Sequence, residues 1–227
     1  MNGKETVSII ISAYKEGDKV LKLVNILSPA ADVQLVAVLA EGDDETLEPQ
    51  KNKAVTIRAQ RGRARQMNAG VKVATGGILL FLHADTVIDP VSFDNVRSSL
   101  NKSNVAGGAY RIKIDAPSKG YEFLSAIVNF RSKWFKAPYG DQAIFIKRSI
   151  YDKIGGFDDV PIMEDVRFVK AMKRLGSLEL LDDIAVTSAR KWKSEGPVYT
   201  TLRNWSILLA HKAGINPEIL VKWYYPE

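Results

Sequence analysis

The stretch GRARQMNAGVKVATGGILLFLHAD, residues 62–85, reads as a helix that runs into a fully buried strand. Ala64, Met67, Val71 and Ala74 recur three and four residues apart, which gives residues 63–74 one apolar face. Gly76 and Gly77 end that helix. ILLFL (78–82) is continuously apolar instead of alternating, the pattern of a strand covered by helices on both faces of a mostly parallel sheet.

Working outward, the same logic extends over the chain. Upstream lie VSIIISA (7–13), a periodic stretch over 19–27 and VQLVAVL (33–39), which together make a βαβ opening, followed by a short strand over 55–58. Downstream, Pro90 starts a helix to residue 100, and a strand covers 106–114. Residues 121–134 form an amphipathic helix with Leu124, Ile127, Phe130 and Trp134 on or near its apolar face. AIFIK (143–147) is a strand, a short helix sits near Ile150, and Gly155-Gly156 turn the chain. A helix over 164–175 stops at Gly176, and a strand falls within 178–186. Tyr199, Leu202, Trp205 and Leu209 mark a final helix, with a further helical turn after Pro217. No repeat or linker interrupts this order, so residues 1–227 are expected to form one α/β domain with a helical C-terminal arm over 187–227.

Composition removes several chemistries. The chain has 227 residues and no cysteine, which excludes disulfide scaffolds, thiolate zinc sites, iron–sulfur clusters and thiol nucleophiles. Residues 1–6 are mainly polar ahead of a strand too short for a signal segment, and no apolar run approaches the length of a membrane span. The expected location is cytoplasmic. With 32 Lys and Arg against 26 Asp and Glu the net charge is +6, a mild bias towards anionic ligands. Nucleic-acid binding wants a broad basic face interleaved with aromatics, whereas these charges are scattered among acids.

In an open parallel sheet, ligands bind beyond the carboxyl ends of the strands. Those ends carry Tyr14, Lys15 and Glu16, then residues 40–44 with Glu41, Asp43 and Asp44, then Arg61, then His83, Ala84 and Asp85. His83 and Asp85 stand two residues apart, on the same side of the chain, and an imidazole with a carboxylate suits Mn²⁺ or a similar divalent ion. Mg²⁺ prefers oxygen ligands and relies on phosphate oxygens to complete its shell. Arg61, Arg63 and Arg65 crowd the entry of a helix, where backbone N–H groups already favour an anion. Glu164 and Asp165 open another helix, and either has the chemistry of a general base for a hydroxyl.

Taken together, SIIISAYKE (8–16), AEGDDET (40–46), residues 62–85, GGF (155–157) and MED (163–165) resemble the family 2 glycosyltransferases over roughly residues 6–186. GRARQMNAG, FLHADT, YGDQAIF and PIMED look like the subgroup named selenodomain-associated transferase 2. The resemblance implies a GT-A fold, with a Rossmann-like nucleotide-binding half over about 1–89 and an acceptor half over about 90–186. It also implies inverting transfer of a sugar from a nucleoside diphosphate to an acceptor hydroxyl, assisted by Mn²⁺ or Mg²⁺. By position, Ala13, Tyr14 and Glu16 would line the nucleotide pocket, and Glu41 would meet the base with Asp44, Arg61, Arg63 and Ala84 nearby. Asp85 would be the last member of the metal-binding Asp-x-Asp motif, Asp165 the catalytic base with Glu164 beside it, and Gly140, Asp141 and Gln142 the acceptor border.

His83 replaces the first aspartate of that motif, and Glu41 a customary aspartate. Arg190-Lys191-Trp192 is only a distant echo of the Gln-x-x-Arg-Trp signature of processive synthases, so transfer of a single sugar is expected. The C-terminal arm, ending Trp223-Tyr224-Tyr225, would close over the acceptor or lie on a membrane that carries a lipid-linked one, and His211 is a candidate to complete the metal shell. Two other classes fit the same letters: a non-catalytic nucleotide-sugar binding module, and an RNA-binding or nucleotidyl-transferring protein.

Overall fold

Seven consecutive buried residues make Val7–Ala13 an interior strand, β1. In the computed structural model, residues 4–30 and 32–224 are described, apart from the side chain of Lys191, and the chain start at Met1 and the terminal Tyr225 lie outside them. Helix α1 (Lys19–Leu27) and strand β2 (Val33–Ala40) follow, then β3 (Val55–Ala59), α2 (Arg63–Val73) and β4 (Ile78–His83). These four strands pair in parallel in the order β3-β2-β1-β4. Ser12 lies opposite both Val38 and His83, so the carboxyl tips of β1, β2 and β4 end level with one another.

The second half mixes directions. β5 (Thr86–Val87) leads to a 3-10 turn at Pro90–Ser92 and α3 (Phe93–Leu100), then β6 (Val105–Asp115), α4 (Lys119–Phe135) and a second 3-10 turn at Gly140–Gln142. β7 (Ile144–Lys147), α5 (Arg148–Ile154), α6 (Glu164–Leu175) and β8 (Ser177–Ser188) complete the sheet, whose full order is β3-β2-β1-β4-β7-β6-β8-β5. β7 runs antiparallel to β4 and to β6, β6 and β8 run parallel, and β5 returns antiparallel to β8. The sheet is therefore parallel in its first half and mixed in its second. The two-residue β5 was not foreseen, being too short to carry a periodic signal.

Each face of the sheet has its own core, as continuous apolar strands require. On one side Ile9, Ile11, Leu80 and Leu82 pack with Leu23 and Leu27 of α1 and Phe93 and Val96 of α3. On the other, Ile10, Val38 and Phe81 pack with Met67 of α2 and with Phe157, Phe168 and Met172 around α6. Burying each such side chain contributes about 1.5–3 kcal/mol. Gly70 permits the close approach of α2, because a Cβ there would stand 2.5 Å from Ile10 Cγ2. Gln66 then ties the helix to the sheet, donating to the carbonyls of Ala13 (2.8 Å) and Val38 (2.9 Å).

Two helices depart from the sequence reading. On α4, Phe130 and Trp134 were expected in the core, yet they are 59% and 69% exposed, while Ser125 and Ser132 are buried. The cause is the edge of β6, whose β7 partner ends early. Asn129 replaces the missing strand by accepting from Ile112 N (2.8 Å) and donating to Ile112 O (2.9 Å), and the Ser125 hydroxyl accepts from Ile114 N (3.1 Å). Satisfying buried backbone groups outweighs burying the aromatic face.

The C-terminal arm folds as α7 (Arg190–Glu195), α8 (Pro197–Lys212) and α9 (Pro217–Tyr224). The stripe Tyr199, Leu202, Trp205, Leu209 lies on α8 but is exposed, and Thr200, Arg203 and Ile207 are buried instead. Ile207 joins Ile162 and Leu220 in a small separate core. Arg203 lies near the rings of Tyr199 (5.4 Å) and Tyr224 (4.9 Å) and pairs with Glu195 at 2.6 Å.

Candidate active site

The level tips of β1, β2 and β4 bring three of the sequence-selected segments to one edge of the sheet. After β1 the chain turns through Lys15 at φ +55°, a left-handed conformation that non-glycine residues seldom adopt. The turn is held by Asp43, which is almost wholly buried and accepts from Lys15 N (3.0 Å), Thr46 N (3.2 Å) and the Thr46 hydroxyl (2.6 Å). Burial alone would raise the Asp43 pKa, but these hydrogen bonds outweigh it and hold the carboxyl below its ordinary value. Asp43 was read only as part of the acidic loop, and its role in bracing β1 against β2 emerges from the fold. Glu41 and Asp44 are exposed beside it.

Arg61 stacks on the Tyr14 ring at 4.1 Å, which sets a flat cation at this edge of the sheet. Arg63, the first residue of α2, exerts its charge on His83, Asp85, Asp141 and Glu164, and so stands as a cation common to both halves of the site. Arg65 turns away to pair with Asp159 at 2.7 Å.

At the end of β4, Ala84 is buried and Asp85 is half-buried. Burial, and then repulsion from Glu16, raise the Asp85 pKa. Glu16 and Asp85 are bridged by a residue that sequence reading did not place here: Arg190, from the start of α7, has Nη2 3.1 Å from Glu16 and 4.0 Å from Asp85. A guanidinium between two carboxylates marks that space as a cation seat. His83, pushed down to about 3 by burial and then by Arg63, stays neutral and keeps a nitrogen able to bind a metal. These donors fit a divalent ion. Among the described residues no group of three or more His, Asp or Glu side chains is arranged to hold a metal, so ligand oxygens would complete a shell.

The second half supplies the opposite wall. α6 begins from Met163 at φ +68°, and the Gly140–Gln142 turn ends at Ala143 with φ +48°. Held between them, Asp165 accepts from Gly140 N and from Val166 N, both at 2.7 Å, which fixes its carboxylate. A Cβ on Gly140 would lie 3.0 Å from His83 Nε2 and 3.3 Å from Asp165 Oδ2, so this glycine is where the end of β4 and the start of α6 meet.

Two more carboxyls complete the cluster. Burial pushes Asp141 up to about 6 against the pull of Arg131, with Asp165 adding repulsion, and its Oδ1 is buried without a hydrogen-bond partner. Burial, and then the neighbouring Asp165, raise Glu164 to about 7. Gln142 is fully buried, its amide spent on Tyr110 O (3.0 Å) and the Ser132 hydroxyl (2.6 Å), so it supports the turn from behind. His211 feels the charges of Arg167, Lys170 and Asp165, which puts it on the Asp165 side of the cluster and not between Glu16 and Asp85.

This arrangement joins an anion-binding entrance, a cation seat and a fixed carboxylate, the elements needed to hold a diphosphate on one side and remove a proton on the other. Comparison with known proteins bears on the family and the fold. The family model described as Glycosyl transferase family 2 matches residues 8–157. An uncharacterized glycosyltransferase of Nostoc sp., alr2836, is 23% identical over 203 residues, which cover 78% of this chain and 62% of that protein. Among solved structures, the mannosyltransferase PcManGT from Pyrobaculum calidifontis, in complex with GDP-Man and Mn²⁺, is similar at a TM-score of 0.66 and 18% identity, covering 92% of this chain and 62% of that one. S. aureus TarS 1-349 in complex with UDP-GlcNAc is similar at a TM-score of 0.60 and 16% identity, covering 81% of this chain and 58% of that one. The chain thus spans about three fifths of the length of these relatives. The fold they share with it is GT-A.

Proposed function

The chain belongs to the family 2 glycosyltransferases, and from that membership we propose that it transfers a single sugar from a nucleoside-diphosphate donor to an acceptor hydroxyl with inversion at the anomeric carbon. Asp165 is the base. It takes the proton of the acceptor hydroxyl as that oxygen forms its bond to the anomeric carbon, while the bond from that carbon to the diphosphate oxygen breaks and the electron pair leaves with the nucleoside diphosphate. One displacement from the face opposite the leaving group inverts the centre.

The observation that carries this reading is the Asp165 carboxylate, fixed by two backbone N–H groups at 2.7 Å on the wall that meets His83 across Gly140. Ala13, Tyr14, Arg61, Glu41, Asp44 and Ala84 receive the nucleotide, and Arg63 offsets the charge that develops on the diphosphate. Asp85 and His83, with Glu16 close by, would hold Mn²⁺ or Mg²⁺, which supplies further charge neutralisation at the leaving group when bound. Arg190 holds that cation seat until the donor arrives. Gly140 and Asp141 border the acceptor.

Screening nucleotide sugars with Mn²⁺ tests the reading. At least one donor should raise the melting temperature and release nucleoside diphosphate in the presence of an acceptor alcohol. Failure of every nucleotide sugar to bind would overturn it.

A further inference from the structure

The faces that α4 and the arm turn to solvent are the least expected feature of the molecule, and the active site does not use them. On α4, Phe123, Phe130 and Trp134 stand seven and four residues apart along one side and are 69%, 59% and 69% exposed, with Phe135 exposed beside them. On α8, Val198, Leu202, Trp205 and Leu209 form a second exposed stripe at four, three and four. α9 adds Ile219 and Trp223. Scattered apolar side chains on a surface need no explanation, but helical stripes this regular do.

Charge selects the occupant. Residues 119–136 contain Lys119, Arg131, Lys133 and Lys136 against Glu122 alone. Residues 187–227 contain six Lys and Arg against three Glu. These two segments therefore hold an excess equal to the whole chain's net +6, and the rest is balanced. The core of a protein–protein interface is depleted in lysine. Exposed Trp and Phe on helices with a lysine excess are instead the composition of segments that lie in the headgroup region of an anionic bilayer.

We propose that the aromatic faces of α4, α8 and α9 bind the surface of a membrane rich in anionic lipid. Both elements are braced against the loops that hold Asp165. Arg131 of α4 stacks on Tyr139 at 3.6 Å, next to Gly140, and Lys173 donates to Phe135 O at 2.9 Å. Ile207 of α8 packs with Ile162, in the segment that leads into α6. A bilayer held by these faces would suit an acceptor anchored in lipid. That last step rests on the sugar-transfer reading, whereas the docking itself does not.

No helix among the described residues is long and apolar enough to cross a membrane, so binding should be peripheral and reversible. The test is co-sedimentation of the chain with vesicles of phosphatidylcholine alone, or of phosphatidylcholine mixed with phosphatidylglycerol, at low and high ionic strength. Mixed vesicles should bind about tenfold or more tightly than neutral ones, with salt weakening the binding and tryptophan emission shifting to the blue. The pair Phe130→Gln with Trp134→Gln, and separately Trp205→Gln, should each weaken binding about fivefold or more at an unchanged melting temperature, since all three side chains are exposed. Absence of binding to mixed vesicles, or binding that ignores these substitutions, would overturn the proposal. So would self-association or RNA binding that the same substitutions abolish while vesicles remain unbound. Vesicle binding by a chain that binds no nucleotide sugar would support the docking surface and count only against the transfer reading.

Discussion

The Arg190 guanidinium lies 3.1 Å from the Glu16 carboxylate, which ties the first residue of α7 to the loop after β1 across the whole length of the sheet's history in the chain. Because Asp85 is also within 4.0 Å of it, this arginine occupies the seat that a divalent ion and a diphosphate would share. Arg190→Ala should therefore do two opposite things. Without donor, Mn²⁺ binding should tighten, as the competing cation is gone. With donor, nucleoside-diphosphate affinity should fall about tenfold, the scale of one lost charge-assisted contact. Calorimetric titrations of Mn²⁺ and of the diphosphate check both, and parallel changes in the two would refute the shared seat.

Gly140 is predicted to be intolerant of even one methyl group. A Cβ there would stand 3.0 Å from His83 Nε2 and 3.3 Å from Asp165 Oδ2, so Gly140→Ala must move one or both. Turnover should fall about tenfold or more for a displacement of tenths of an ångström to one ångström, with a stability loss within about 1 kcal/mol. Steady-state kinetics alongside chemical denaturation separate the two effects. Wild-type turnover would show that the junction does not position the base.

Glu164 makes a prediction in pH. Burial, and then Asp165, lift its folded pKa to about 7 from an ordinary 4.5. The folded state then binds more protons than the unfolded one between those values, so this group's contribution to stability is fully present below pH 4.5 and is lost as pH rises through 7. Glu164→Gln removes that dependence. Relative to the wild type, its melting temperature should rise by a few degrees on passing from pH 5 to pH 8, about 1 kcal/mol being worth about 2–4 °C at this chain length. Parallel pH curves for the two proteins would contradict the assignment.

The legible part of the fold was its first half. Uninterrupted runs such as residues 7–13 and 78–82 leave no alternative to strands buried on both faces, and their level tips follow from parallel pairing. What the letters hid was the environment of α4 and α8. Their apolar stripes point to solvent, because Asn129 and Ser125 are needed at the open edge of β6 and because Arg203 is enclosed by Glu195, Tyr199 and Tyr224. Periodicity reveals that a helix has two faces, but which one the sheet requires depends on unpaired backbone far away in sequence.

The same limit governs the site. Residues adjacent to strand ends, such as Tyr14 and Asp85, could be found from strand position alone. Arg190 could not, since it reaches Glu16 from 174 residues away, and Asp43 was passed over in favour of Asp44 because nothing in the letters distinguishes a bracing carboxylate from an exposed one. His83, read as a metal ligand, is also the residue that Gly140 must accommodate, a contact between segments far apart in the chain.

The account rests on Asp165 as the group that removes the acceptor's proton. The most direct test compares nucleoside-diphosphate release by the wild type and by Asp165→Asn, with Mn²⁺, an acceptor alcohol and whichever nucleotide sugar raises the melting temperature of both. Asp165→Asn should bind that donor nearly as well and turn over about 10² times more slowly or worse. Equal turnover by the two proteins would contradict the central claim.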